Sequence, residues 1–138
     1  MPDSNITKRA LAQAMKELMR TEPFSKISVG DICQACSMSR KSFYYHFRDK
    51  YDLVNWIFDS EFLQTIRPEA YHSGWALLAD MCAYFYREQT FYRSALLISG
   101  QNSFREYFGQ AIAPIMSFFA QDIFDLSLIH ISEPTRLR

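Results

Sequence analysis

Ser39-Arg40-Lys41-Ser42-Phe43-Tyr44-Tyr45-His46-Phe47-Arg48-Asp49-Lys50-Tyr51-Asp52-Leu53 is the stretch on which the reading of this chain turns. Ser39 is placed to cap a helix, since its hydroxyl can accept an amide proton left free in the first turn. Phe43 and Phe47 stand four residues apart and share one face of that helix. Arg40, Lys41, Ser42, Tyr44 and Tyr45 take the other faces. A short helix pinned by two phenylalanines and otherwise covered with cations and hydroxyls suits contact with a polar partner. Asp49-Lys50-Tyr51-Asp52 then reads as a second helix start, leading into a long helix with Leu53, Trp56, Ile57, Phe58 and Phe62 up to about Ile66.

Working outward, Ser28-Val29-Gly30-Asp31 forms a capping-box pattern, and Val29, Ile32 and Cys36 give the helix it opens an inward face. A small polar break, Ser37-Met38-Ser39, separates it from the helix just described. Further upstream Ile6, Ala10, Leu11, Ala14, Met15, Leu18 and Met19 follow the three-and-four spacing of an amphipathic helix, which ends near Thr21 ahead of Pro23. Two short helices joined by a tight turn and braced by a longer one form a helix-turn-helix arrangement. Downstream, Pro68 and Gly74 mark a linker. Apolar helices are then expected at 75–89, 91–99 and 102–124, with Gly100 as a break and Pro114 as a kink. No strand-like alternation of useful length occurs.

The run from Ile27 to Leu53 resembles the DNA-binding head of the TetR family of bacterial transcription regulators. The most telling part is Ser42-Phe43-Tyr44-Tyr45-His46-Phe47-x-x-Lys50-x-x-Leu53, and with the first helix the likeness covers about residues 6–60. Two residues depart from the pattern: Ser37 stands where the family usually has a turn glycine, and Lys41 stands where glycine is frequent. Head and aromatic body together are most similar to the subgroup of dihydroxyacetone-kinase operon regulators.

The resemblance implies an all-α fold, with a homeodomain-like three-helix head followed by a truncated helical regulatory body. The divisions expected are 1–50 for the head, 51–125 for the sensor body and 126–138 for a non-native tail. It implies DNA contacts from Ser28, Ser39, Arg40, Lys41, Ser42, Tyr44, Tyr45, His46 and Lys50. Arg40 and Lys41 are long cations that reach guanine acceptors or phosphates. Tyr44 offers a hydroxyl to phosphate and a ring to a thymine methyl, whereas Tyr45 serves equally well packed on the first helix. His46 matches a backbone-touching position for which packing competes. Lys50 combines its charge with the positive end of the next helix on one phosphate. Phe43, Phe47, Ile32 and Leu53 are assigned to the core. The expected partners are a palindromic double-stranded operator, a second copy of the chain, and an effector. That effector is either a small molecule or a protein related to the kinase subunit.

Composition agrees with this division of labour. The 138 residues are 49% hydrophobic and carry 15 basic against 15 acidic side chains, which excludes disorder and disulfide-scaffold classes. The balance is uneven along the chain. Residues 1–50 hold nine Lys and Arg against five acids, and the remainder holds six Arg against ten acids. A basic head beside an acidic remainder suits a polyanion-binding module. No signal peptide or spanning segment is visible, so a cytoplasmic setting without membrane contact is expected.

Other chemistries are weaker. Cys33-Gln34-Ala35-Cys36 has the spacing of a zinc or redox pair, but it lacks a second C-x-x-C or an H-x-x-H, and its place on a packed helix favours burial. No nucleophile–base pairing or phosphate loop points to catalysis, and no cofactor or metal is expected. A helical protein-interaction module without DNA readout is the remaining alternative. Trp75, Tyr84, Phe85, Tyr86, Phe91 and Tyr92 are candidates for either a ligand pocket or plain core. Leu126 to Arg136 resembles a translated sequencing adapter, which puts the end of the natural sequence near Asp125 and the family's dimerising helices outside the chain.

Overall fold

Serine and aspartate side chains set where most helices begin. The computed structural model describes residues 2–100 and 102–120, and among them are seven α-helices and no strand. Helix α1 runs Pro2–Met19, α2 Val29–Ala35, α3 Arg40–His46, α4 Lys50–Glu61, α5 Gly74–Arg87, α6 Gln89–Leu96 and α7 Phe104–Phe118. Ser28, Ser39, Asp49, Ser73 and Ser103 each accept a hydrogen bond from an amide three residues on. Those amides have no partner within the helix, so each cap removes an otherwise unpaired donor. At α2 the box is complete: Asp31 N–H donates to the Ser28 hydroxyl at 3.0 Å, and Ser28 N–H donates to the Asp31 carboxylate at 2.9 Å.

Several boundaries differ from those read off the pattern. Helix α1 begins at Pro2, ahead of its first apolar residue. Helix α4 ends at Glu61, and the chain tightens into a 3-10 turn over Leu63–Thr65. The segment 68–74 holds a further 3-10 turn at Pro68–Ala70. Pro114 lies inside α7, which ends at Phe118. The adapter-like residues from Leu126 onward lie outside the described residues.

The head is built from α1, α2 and α3 backed by α4: α1 packs on α2, α3 and α4, and α2 packs on α3. Phe43, Phe47, Ile32 and Leu53 are all buried, as the four-residue spacing requires. Ser37 makes the turn between α2 and α3 with φ of 57°, the left-handed conformation that a glycine adopts without steric cost.

Packing does not stop at the linker. Leu11 and Met15 of α1, Ile57 and Phe58 of α4, Leu77 of α5 and Phe104 of α7 belong to one continuous core. Phe58 is its centre: the rings of Phe62, Tyr84, Phe85, Tyr92, Phe104 and Phe108 lie around it with centroids 5.4 to 6.5 Å away. Phe62 and Phe85 stack on it while the other four rings meet it tilted or edge-on, geometries that suit the quadrupoles of the rings. Tyr84, Phe91 and Tyr92 are therefore core, Phe85 packs against it, and Trp75 and Tyr86 are exposed. Tyr84, Phe85, Phe91 and Tyr92 are consumed by filling the space between α4, α5, α6 and α7.

Candidate nucleic-acid interface

The outward face of α3 follows from what its inward face must bury. Phe43 is fully buried and Phe47 nearly so, with ring centroids 5.7 Å apart, and this fixes the rotation of the helix. Tyr44 is then 55% exposed and Tyr45 83% exposed, and Arg40 and Lys41 stand in solvent at the helix start. Two tyrosines that exposed on a seven-residue helix contribute little to the stability of the head. Tyr44 leans edge-on against Phe43 at 5.2 Å, which holds its ring while leaving the hydroxyl free. Tyr45 does not pack on α1; its neighbour is the His46 ring, edge-on at 4.9 Å.

Ser28 and Arg40 line one shallow depression at the start of α2, and Ser39 and Ser42 bracket the first turn of α3. The hydroxyls of Ser28 and Ser39 accept from Asp31 N–H and Ser42 N–H, both at 3.0 Å. Each hydroxyl keeps its own proton for donation outward. Asp31 is held below the ordinary carboxylate range, first by the Ser28 backbone N–H, then by the Ser28 hydroxyl, with Lys50 adding a smaller attraction.

Arg40 sits close over the start of α2. A β-carbon added to Gly30 would lie 2.8 Å from its terminal guanidinium nitrogen, so the bare backbone of Gly30 is what lets the guanidinium settle there. Neighbouring Cys33 donates its thiol proton to the Ser39 carbonyl at 3.5 Å, and Cys36 donates to the Ile32 carbonyl at 3.4 Å. Burial raises both thiols above their ordinary value. Arg40 opposes this for Cys33, whereas Cys33 adds to it for Cys36. Protonated thiols tied to carbonyls are poor zinc ligands and poor nucleophiles. Both cysteines act as packing residues that close the turn.

Lys50 differs most from its sequence reading. Its ammonium points into the head, donating to the carbonyls of Phe24 at 2.8 Å and Ile27 at 2.7 Å, and it stands 4.3 Å from the centre of the Phe24 ring. Burial lowers its pKa, with Asp31 pulling it back up. The segment between α1 and α2 leaves two carbonyls facing inward, and Lys50 is the donor that reaches them. It braces the loop from inside, a role that its position at a helix start gave no hint of.

His46 is also tied to a distant part of the chain. Its Nδ1 lies 3.5 Å from the Ser4 hydroxyl, and its pKa is lowered by burial and then by Lys8. The first turns of α1 thus border the end of α3 and bring Ser4 and Lys8 to the edge of its outward face. Neither was marked from sequence. Ser4 and His46 are 42 residues apart, and only the packing of α1 on α3 joins them.

Three comparisons bear on this face. Residues 7–57 match the family model described as bacterial regulatory proteins, tetR family. Over 109 residues, 78% of this chain, the sequence is 32% identical to the HTH-type dhaKLM operon transcriptional activator DhaS of Lactococcus lactis subsp. lactis. That alignment takes in 57% of the relative, so the chain spans little more than half the length of the curated protein it matches. A solved structure, that of the dihydroxyacetone kinase operon activator DhaS, superposes with a TM-score of 0.63 at 26% identity. The superposition covers 87% of this chain and 67% of that one.

Proposed function

We propose that this chain, whose residues 7–57 match the family model of bacterial regulatory proteins, tetR family, regulates transcription by binding a specific DNA operator. The observation that carries the proposal is the outward face of α3. Tyr44 and Tyr45 stand in solvent beside Arg40 and Lys41, on a helix whose rotation is fixed by two buried phenylalanines. A helix so fixed fits a major groove, where cations and hydroxyls meet phosphates and base edges. Ser28, Ser39 and Ser42 flank it as hydroxyl donors, Tyr44 and Tyr45 supply the rings, and His46 with Ser4 and Lys8 closes the face at its far end. Lys50 acts from inside, by holding the loop ahead of α2.

The relatives' printed roles support activation of a dihydroxyacetone kinase operon as the regulatory outcome. A palindromic operator, occupied by two heads in a homodimer of the whole protein, gives the affinity that one half-site lacks. An effector, a small molecule or a protein related to the kinase subunit, sets the spacing of the heads. The reaction is binding alone, with no catalytic step and no cofactor.

Fluorescence anisotropy with DNA from upstream of the chain's own operon tests the proposal. Binding is expected to prefer one sequence and to weaken steeply with salt. Tyr44→Ala and Tyr45→Ala are each expected to weaken it by roughly 5- to 150-fold, the ordinary range for one lost contact, with the melting temperature unchanged. Sequence-blind binding, or affinity that ignores salt, refutes DNA readout and leaves the interaction-module alternative.

A further inference from the structure

Lys16 is the point where head and body share a charge. Its ammonium lies on the inner side of α1, 2.5 Å from Oε2 of Glu61 and 3.2 Å from Oε1 of Glu88. Glu61 closes α4, the helix that carries the head, and Glu88 sits at the corner between α5 and α6 in the body. The network continues inward. Tyr84 donates to the other oxygen of Glu61 at 3.0 Å, and with that proton committed Tyr92 donates to the Tyr84 oxygen at 2.6 Å. Burial raises both phenols above their ordinary value, so they stay protonated and act as donors. The Phe91 ring lies 5.8 Å from the ammonium on its remaining side. Arg20 and Arg87 line the outer rim of the same groove. Among the described residues neither pairs with Glu61 or Glu88, and Arg20 is paired with Glu17.

We propose that Lys16 is a positioning residue, which fixes the tilt of the head against the body by holding Glu61 and Glu88 on one ammonium. Burial of apolar surface between α1, α4 and α6 is non-directional, whereas a cation shared by two carboxylates is directional. Among the described residues Lys16 is the cation that pairs with both Glu61 and Glu88. With it, two attractions close the corner; without it, two carboxylates face each other across the seam and push α4 away from the α5–α6 corner. Movement of that corner in the body is thereby transmitted to α1 of the head through one side chain. The consequence for operator spacing rests on the DNA-binding reading above; the positioning itself does not.

Cys82 provides a handle, because it is exposed on α5 while Cys33 is buried. The whole chain carrying Cys36→Ser and Gln34→Cys, spin-labelled at 34 and 82, reports head-to-body distance by pulsed electron resonance without any DNA present. One narrow distribution is expected with Lys16 or with Lys16→Arg. Lys16→Met is expected to broaden it or shift it outward, and adding Glu88→Gln to Lys16→Met to restore a narrow one by removing the repulsion. Far-UV circular dichroism confirms that each variant keeps its helices. An unchanged distribution in Lys16→Met overturns the proposal. So does a broadened one that Glu88→Gln fails to narrow, since loss of packing would then be the cause. Failure of DNA binding in a separate assay alters neither result.

Discussion

Replacing Lys50 separates two roles that its sequence position confuses. The ammonium makes two charge-assisted hydrogen bonds, to the carbonyls of Phe24 and Ile27, at 2.8 and 2.7 Å. Such bonds are each worth about 1.5–3 kcal/mol, and the contact with the Phe24 ring at 4.3 Å adds about 0.5–1 kcal/mol. Against this stand partial burial of the charge, which lowers the pKa, and a side-chain ordering cost of about 1.5–2 kcal/mol. The balance for Lys50→Met, which keeps the apolar stem but strands both carbonyls, is a loss of about 2 kcal/mol. For a chain of this size that lowers the melting midpoint by roughly 6–10 °C. Urea unfolding followed by circular dichroism measures the loss, and a titration of operator affinity against salt runs alongside it. An internal brace predicts the stability loss with the salt slope unchanged. Loss of less than about 0.5 kcal/mol, together with a slope shallower by about one charge, would show the ammonium on a phosphate and refute the reasoning.

Ser37→Gly is expected to stabilise the head by about 0.5–1 kcal/mol, because Ser37 holds a φ of 57° that costs an L-residue energy and a glycine none; a lower urea midpoint would count against the turn geometry. Phe58→Ala is expected to cost about 3–5 kcal/mol, since the ring is fully buried among six others, and near-native stability would mean that the core is not continuous. Asp31 carries a pH signature. Its pKa is lowered on folding, so its stabilisation is present above the ordinary carboxylate pKa and is lost as pH falls through the folded value. Asp31→Asn should remove that part of the acid sensitivity, and a carboxyl titration by NMR at or above the ordinary value would disprove the capping box as its cause.

The helices and the outward face of α3 were legible because local physics writes them. Caps act over three residues and the Phe43–Phe47 pin over four, so Ser28, Ser39, Asp49 and the outward Tyr44 could be placed without knowing the rest of the molecule. Ser37 was legible in the same way, as a serine where a glycine was expected, and its positive φ gives that departure a physical meaning. The aromatic body was readable as helical, but not in its arrangement, because the same residues at the same spacing serve a pocket or a core equally well.

The sequence by itself determined an all-helical chain with a basic, tyrosine-bearing helix-turn-helix head, through caps, turn chemistry and three-and-four spacing. Tertiary structure alone decided which distant partners the long polar side chains meet. It turned Lys50 in toward carbonyls 23 and 26 residues away, brought Ser4 to His46, and gathered Glu61 and Glu88 on Lys16 across 45 and 72 residues. A long cation has the same local signature whether its charge meets a phosphate, a carbonyl or two carboxylates. The partner is chosen by whichever unpaired group the packing of helices delivers within reach, and no window of sequence contains it.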